Sequence, residues 1–147
     1  MWAVHEVATR NDIKTLRGLL DADPGLLEAE QWVNRRGPLT TACGNGCVEA
    51  ATLLLDRGAG IDEKDWNGHT PLTEACRGGH VGVVSLVLAR GADPSVRTSD
   101  TRFTALMKAS SCHWPPSDHV AVLCLLLKDG RVPVDAQDLR RETALHI

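Results

Sequence analysis

Aromatic residues and long apolar runs are both scarce in this chain of 147 residues. It has no Tyr, one Phe and four Trp. Its longest uninterrupted apolar run, residues 120–127, falls far short of the roughly 20 residues that a membrane-spanning helix needs. We therefore expect no membrane insertion. Leu and Ala are abundant instead, and small or unbranched side chains favour closely packed helices.

An excess of charge of one sign is also missing. The chain has 16 Lys and Arg against 19 Asp and Glu, which gives a net charge of −3. This balance disfavours a general nucleic-acid-binding protein, which needs a broad basic surface, and we expect no nucleic-acid partner. The charged and apolar fractions, 24% and 43%, are ordinary for a folded protein and predict a single domain.

Signals for secretion are absent too. The N-terminal residues include neither a basic start nor an apolar stretch, and there is no Asn-X-Ser/Thr acceptor. The five cysteines are an odd number and have no framework spacing. We therefore expect reduced thiols in a cytoplasmic or nuclear protein.

The common catalytic motifs do not occur. The sequence lacks Gly-X-Ser-X-Gly, a Gly-X-X-X-X-Gly-Lys phosphate loop and a His-Glu-X-X-His zinc motif. We therefore predict no enzymatic activity of the chain's own, no cofactor and no small-molecule substrate.

One short motif occurs four times along the chain. Its copies are GPLTTAC at 37–43, TPLTEAC at 70–76, TALMKAS at 104–110 and TALHI at 143–147. Their shared leucines lie 33, 34 and 39 residues apart. An apolar segment follows each complete copy, at 48–55, 81–88 and 120–127, and a glycine stands three residues after each segment. Regular repetition at this period predicts a stacked array of identical structural units.

Thr-Pro-Leu-X-X-Ala at a period of 33, followed by Gly-His-Val and Gly-Ala-Asp, resembles the ankyrin repeat. The resemblance covers almost the whole chain. It implies an all-α solenoid in which each unit consists of a hairpin, an inner helix, a tight turn and an outer helix. By this resemblance, residues 1–33 form an N-terminal capping repeat, 34–66, 67–100 and 101–138 form three full repeats, and 139–147 begin another.

Local signals agree with this division. Thr70 and Thr104 can cap the inner helices, and Pro38 and Pro71 fall in the first helical turn, where a missing N–H is tolerated. None of the helices is long enough to be stable alone, so stacking must supply the stability. Because residues 139–147 stop within a first helix, we expect an exposed apolar face there, and a natural protein that continues.

The cysteines also suggest a metal site, since Cys43 and Cys47 are close in sequence and Cys112 adjoins His113. Cys43 and Cys76, however, occupy the same repeat position, so they should lie about one helix spacing, roughly 10 Å, apart. That distance is too long for shared zinc ligands. We therefore expect small buried thiols and no metal.

The third full repeat contains an insertion. Six extra residues separate its leucine from the next, and five of them fall in residues 112–118, CHWPPSD. Trp114 beside two prolines is a stiff, exposed candidate for partner binding. The alternative is a neutral insertion whose Trp folds back on its own helices.

The hairpin tips depart from the family pattern. The family favours Gly two residues before the motif Thr, at a turn that needs positive φ, and Gly68 follows this pattern. Arg35, Arg102 and Arg141 occupy the other three positions, so those turns must adapt or accept strain. Stacking should align them with Arg36 and Arg140 into one basic ridge, unless they are merely solvated turn residues.

In the family, the tips and the inner-helix faces form a concave surface that grips partners. The inner-helix positions expected to floor this groove are Thr41, Gly44, Asn45, Glu74, Arg77, Lys108 and Ser111. The predicted partner-binding residues are Arg35, Arg36, Trp66, Asn67, His69, Arg77, Arg102, Phe103, Lys108, Trp114, Leu139 and Arg140. By the same resemblance, His5 and His146 hydrogen-bond the neighbouring loop.

These observations predict a protein–protein interaction module, a scaffold or adaptor that binds a partner of unknown identity and favours an acidic segment. Two alternatives stay open. The segment could recruit substrates for, or regulate, a larger enzyme that continues beyond residue 147, such as a kinase, a ubiquitin ligase receptor or an acyltransferase. It could also be a purely structural spacer.

Overall fold

The computed structural model describes residues 3–29, 31, 34–111 and 116–146. Within these ranges the chain forms eight α-helices and a short 3₁₀ helix, Pro24–Glu28. The α-helices are α1 Ala3–Thr9, α2 Ile13–Ala22, α3 Pro38–Gly44, α4 Val48–Asp56, α5 Pro71–Gly78, α6 Val81–Ala89, α7 Ala105–Ser110 and α8 Pro116–Asp129.

The helices lie in two rows. Helices α1, α3, α5 and α7 contact one another in that order and form the inner row, and α2, α4, α6 and α8 form the outer row in the same way. Leu16, Leu54, Leu72, Val84 and Leu126 are completely buried in one core that runs along the array. The predicted all-α solenoid is confirmed.

The residues predicted to begin and end helices do so in the structure. Thr70 and Thr104 accept hydrogen bonds from the backbone N–H groups of Thr73 and Met107 and cap α5 and α7. The glycines after the outer helices all have positive φ, which ends each helix without the steric penalty that a side chain would add. They are Gly58, Gly91 and Gly130.

Histidine side chains join neighbouring units of the array. His5 Nε2 donates to the carbonyl oxygen of Arg36 at 3.0 Å, as predicted. His80 Nε2 donates to Gly44 O at 3.0 Å and His119 Nε2 to Arg77 O at 3.3 Å, two bonds that the sequence analysis missed. His146 Nδ1 lies 2.9 Å from the hydroxyl of Thr143 in the same turn, and its bond to a neighbouring loop stays a prediction.

The outer loops are joined by charged side chains. Arg57 pairs with Asp21 of α2 at 2.7 Å, and Arg90 pairs with Asp56 of α4 at 2.8 Å. In the next loop, Arg131 instead donates to the carbonyl oxygens of Leu88 and Ala92. Each loop thus contacts the unit before it, as a stacked array requires.

The cysteines are mostly core residues. Cys43, Cys47 and Cys76 are buried, and burial raises the pKa of the Cys43 thiol. Cys124 is exposed on α8, and Cys112 lies outside the described residues. Across the described ranges, no group of three or more His, Cys, Asp or Glu side chains could hold a metal ion. No helix in these ranges is long and apolar enough to cross a membrane.

The end of the array beyond α7 and α8 is apolar. Leu127, Val134 and Leu145 are exposed there and line a cleft of about 440 Å³ together with Leu106 and Leu123. An uncovered apolar face was predicted at this end, and the structure has one. The division of the chain into five units stays a prediction.

Candidate functional site

Four hairpin tips lie side by side along one edge of the array. We call residues 34–35, 66–68, 99–102 and 139–141 the tip row. Adjacent tips are joined by backbone hydrogen bonds: Trp66 N donates to Asn34 O at 3.0 Å, Ser99 N to Asn67 O at 2.7 Å, and Leu139 N to Thr101 O at 3.3 Å. The tips therefore form one continuous edge.

Each tip turns through a residue in the left-handed backbone region. Gly68 has φ 76°, and Arg35, Arg102 and Arg141 have φ 56°, 58° and 64°. Of the two predicted outcomes, adaptation of the turn or strain, these arginines show the second, since they keep a positive φ. Their side chains are exposed, and since they leave equivalent backbone positions, they line up along the row.

Replacing Arg102 or Arg141 with Gly is expected to raise the free energy of unfolding by roughly 0.5–1 kcal/mol each. The left-handed region costs a non-glycine residue about 1–2 kcal/mol, and the greater freedom of Gly in the unfolded chain offsets part of the gain. Denaturant unfolding of each variant measures the change. Arg140→Gly is the matched control, because Arg140 is exposed on the same tip but outside the left-handed region, and this change should destabilise. Equal losses in all three variants would contradict the assignment of strain.

Two large apolar side chains are exposed on the tip row. Trp66 and Leu139 are each 63% exposed. Asn67 is exposed beside Trp66, whereas Phe103 is half-buried and the Lys108 ammonium lies 5.2 Å from the centre of its ring. Arg140 is exposed next to Leu139. The predicted contact residue Trp114 lies outside the described residues.

His69 and Arg36 differ from the prediction that they project from the ridge. His69 is buried, and its Nδ1 lies 3.2 Å from Asp65 Oδ2 and 3.7 Å from Glu74 Oε1. Arg36 is half-buried and binds Glu74 at 2.9 Å and Asp65 at 3.5 Å. The two buried carboxylates pull both side chains inward, because a charge removed from water needs a partner of opposite sign.

Glu74 is the centre of this polar cluster. Its side chain is 1% exposed, and it accepts a fork of hydrogen bonds from Arg77, at 3.2 Å from Nε and 2.8 Å from Nη2. Burial by itself would raise the pKa of Glu74. The hydrogen bond from Arg77 and the positive charges of Arg36 and Arg77 outweigh burial, and the pKa of Glu74 is lowered.

The groove floor therefore differs from the expected one. Glu74 and Thr41 are buried and were predicted to face a partner. Asn45 and Arg77 are exposed, and Gly44, Lys108 and Ser111 are half-buried. The exposed part of the floor is thus narrower and more basic than the sequence suggested, because the acidic Glu74 is covered by its arginine partners.

Two aspartates shape the tips and were missed as such. Asp65 Oδ1 accepts from the backbone N–H groups of Asn67 and His69, both at 2.9 Å. Asp138 Oδ1 makes the equivalent bonds to Arg140 and Glu142 at 2.7 and 2.9 Å. The signal was available in the sequence, since each Asp stands three residues before the left-handed position.

The comparisons with known proteins agree with this geometry. The sequence profile of the family described as ankyrin repeats (3 copies) matches residues 1–98. In the comparison with curated proteins, no sequence matches the chain. The profile spans two thirds of the chain and covers three of the four helix pairs that the structure describes, so the protein belongs to the ankyrin repeat family.

Proposed function

We propose that this protein is a scaffold or adaptor that binds an acidic segment of a partner protein along the tip row. Ankyrin repeats are generally protein–protein interaction modules, and the family membership supports a protein as the partner. The observation that carries the proposal is the continuous row itself, in which exposed arginines alternate with the exposed side chains of Trp66 and Leu139.

The composition of the row suits a binding surface. Trp and Arg are the residues that most often dominate the energy of protein interfaces. Arg35, Arg102, Arg140 and Arg141 concentrate positive charge on one edge of a chain whose net charge is −3. A local basic strip attracts acidic segments and speeds their association, without making the whole molecule basic.

The experiment compares wild type with Trp66→Ser in capturing proteins from a cell lysate, with captured proteins quantified by mass spectrometry. We expect Trp66→Ser to lose at least one specifically captured, acidic protein, because it removes the most exposed aromatic side chain of the row. That protein should also elute at raised salt, since attraction between exposed charges is screened.

Val120→Ser is the matched control. Val120 is 57% exposed on α8 and lies outside the tip row, so its loss of apolar surface should leave capture unchanged. The tip row is not the binding surface if Trp66→Ser captures the same proteins in the same amounts as wild type. The same conclusion follows if Val120→Ser loses as much captured protein as Trp66→Ser does.

A further inference from the structure

A polar cleft lies between the third and fourth hairpin tips. It has a volume of about 440 Å³, and three arginines line it: Arg97, Arg102 and Arg141. Arg102 and Arg141 leave adjacent tips from equivalent left-handed positions, with φ 58° and 64°. Arg97 reaches across from the third hairpin, where its Nη1 donates to the carbonyl oxygen of Gln137 at 3.0 Å. Guanidinium groups from both tips therefore line the cleft.

The three arginines lie outside the ion pairs that the structure describes. Among the residues that the structure describes, no ion pair joins any of the three to a carboxylate. This contrasts with Arg36, Arg57, Arg77 and Arg90, each of which binds an Asp or Glu. Asp135 and Asp138 also line the cleft, and one oxygen of Asp138 is already bonded to two backbone N–H groups.

We infer that this cleft binds the phosphate group of a phosphorylated serine or threonine in the partner segment. The inference rests on the proposed function, because the phosphate belongs to the segment that lies along the tip row. A phosphate ester carries close to two negative charges and three acceptor oxygens, which suits several guanidinium groups at once. A single carboxylate gains less, since Asp135 and Asp138 leave only a small net positive charge in the cleft.

The test uses the whole chain labelled with ¹⁵N and the peptide acetyl-Gly-phosphoserine-Gly-amide. We expect saturable shifts of the Nε–H signals of Arg97, Arg102 and Arg141. The peptides with serine or glutamate in place of phosphoserine should bind at least about tenfold more weakly, because charge-assisted bonds to a dianion are lost. Equal binding of the glutamate peptide would overturn the phosphate assignment. Equal binding of inorganic phosphate would show a site for the free anion and would overturn the assignment to a phosphorylated segment.

The double variant Arg102→Gly, Arg141→Gly removes two of the three guanidinium groups and keeps the backbone, because Gly adopts the left-handed conformation freely. We expect its affinity for the phosphoserine peptide to fall about tenfold or more. Arg35→Gly is the matched control: it makes the same change at the same kind of turn, on the first tip and away from the cleft. Unchanged affinity in the double variant, or an equal loss in Arg35→Gly, would overturn the proposal.

This test and that of the proposed function can fail separately. Trp66 lies outside the cleft, so Trp66→Ser tests partner capture without altering the phosphate site. If capture depends on Trp66 and persists after phosphatase treatment of the lysate, the phosphate inference is wrong and the proposed function stands. If the phosphoserine peptide binds as expected and Trp66→Ser loses no captured protein, the phosphate site stands and the proposed binding of a partner along the whole tip row is wrong.

Discussion

Replacing Glu74 with Gln is expected to lower the free energy of unfolding by about 2–3 kcal/mol. The change keeps the shape of the side chain but removes the charge that Arg36 and Arg77 share in the interior. Removing one partner of a buried ion pair commonly costs about 3–5 kcal/mol. We place Glu74 at or just below the lower end of that range because the side chains of Arg36 and Arg77 are 24% and 49% exposed and can regain water. Denaturant unfolding at neutral pH measures the loss.

The matched control is Glu6→Gln. Glu6 also pairs with an arginine, Arg10, at 2.7 Å, but their side chains are 58% and 73% exposed. Exposed pairs of this kind contribute little, and we expect a loss of at most about 0.5 kcal/mol. If the two substitutions have the same effect, the cluster around Glu74 does not stabilise the fold through its buried charge.

The comparison of wild type with Glu74→Gln should also depend on pH. The pKa of Glu74 is lowered from its ordinary value of 4.5, so the charged form is favoured by folding. Its contribution is therefore fully present above about pH 4.5 and is lost as the pH falls through the lower folded value. The difference in unfolding free energy between wild type and Glu74→Gln should shrink as the pH falls below about 4.5. A difference that grows below that pH would reverse the sign of the assigned shift.

Replacing Gly68 with Ala is expected to lower the free energy of unfolding by about 2–4 kcal/mol. Gly68 has φ 76°, and an L-residue there costs roughly 1–2 kcal/mol. In addition, a Cβ would lie 2.5 Å from both the backbone nitrogen and the hydroxyl oxygen of Ser99. Moving Ser99 away would break its 2.7 Å hydrogen bond to Asn67, which joins the second tip to the third and contributes about 1 kcal/mol. Thermal or denaturant unfolding measures the total.

Gly91→Ala separates the two causes. Gly91 has φ 93°, but nothing lies within 4 Å of an added Cβ, so only the backbone strain applies. We expect a loss of about 1 kcal/mol there. If Gly68→Ala lowers the free energy of unfolding no more than Gly91→Ala does, the close approach of the second and third tips does not restrict the side chain at residue 68. The contact with Ser99 also explains why Gly occupies this tip whereas Arg occupies the other three.

Much of the fold could be predicted from local patterns. The Thr and Pro residues that begin the inner helices and the glycines after the outer ones act through their own backbone, so their effect does not depend on distant residues. The left-handed turns at Arg35, Arg102 and Arg141 followed from their position in the repeat. Repetition made each of these signals easier to recognise in the sequence, because a turn required in one unit is required in the next.

The candidate site was harder to predict. Arg36 and His69 each follow a residue of the tip row, and both were predicted to be exposed. The buried carboxylates of Asp65 and Glu74 set their direction. These carboxylates are far from Arg36 in sequence and approach it only through tertiary packing, whereas Asp65 lies four residues before His69 in the same hairpin. The bonds of His80 and His119 likewise join helices that are more than 30 residues apart in sequence.

The sequence by itself determined the repeated unit, the ends of its helices and the sign of φ at its turns, since these depend on bonds within a few residues. Only the tertiary structure decided which charged side chains point into the array and which point out of it. The physical reason is desolvation: a charge turns inward only where stacking brings an opposite charge close enough to compensate the loss of water. That selection left Arg35, Arg102, Arg140 and Arg141 exposed along one edge.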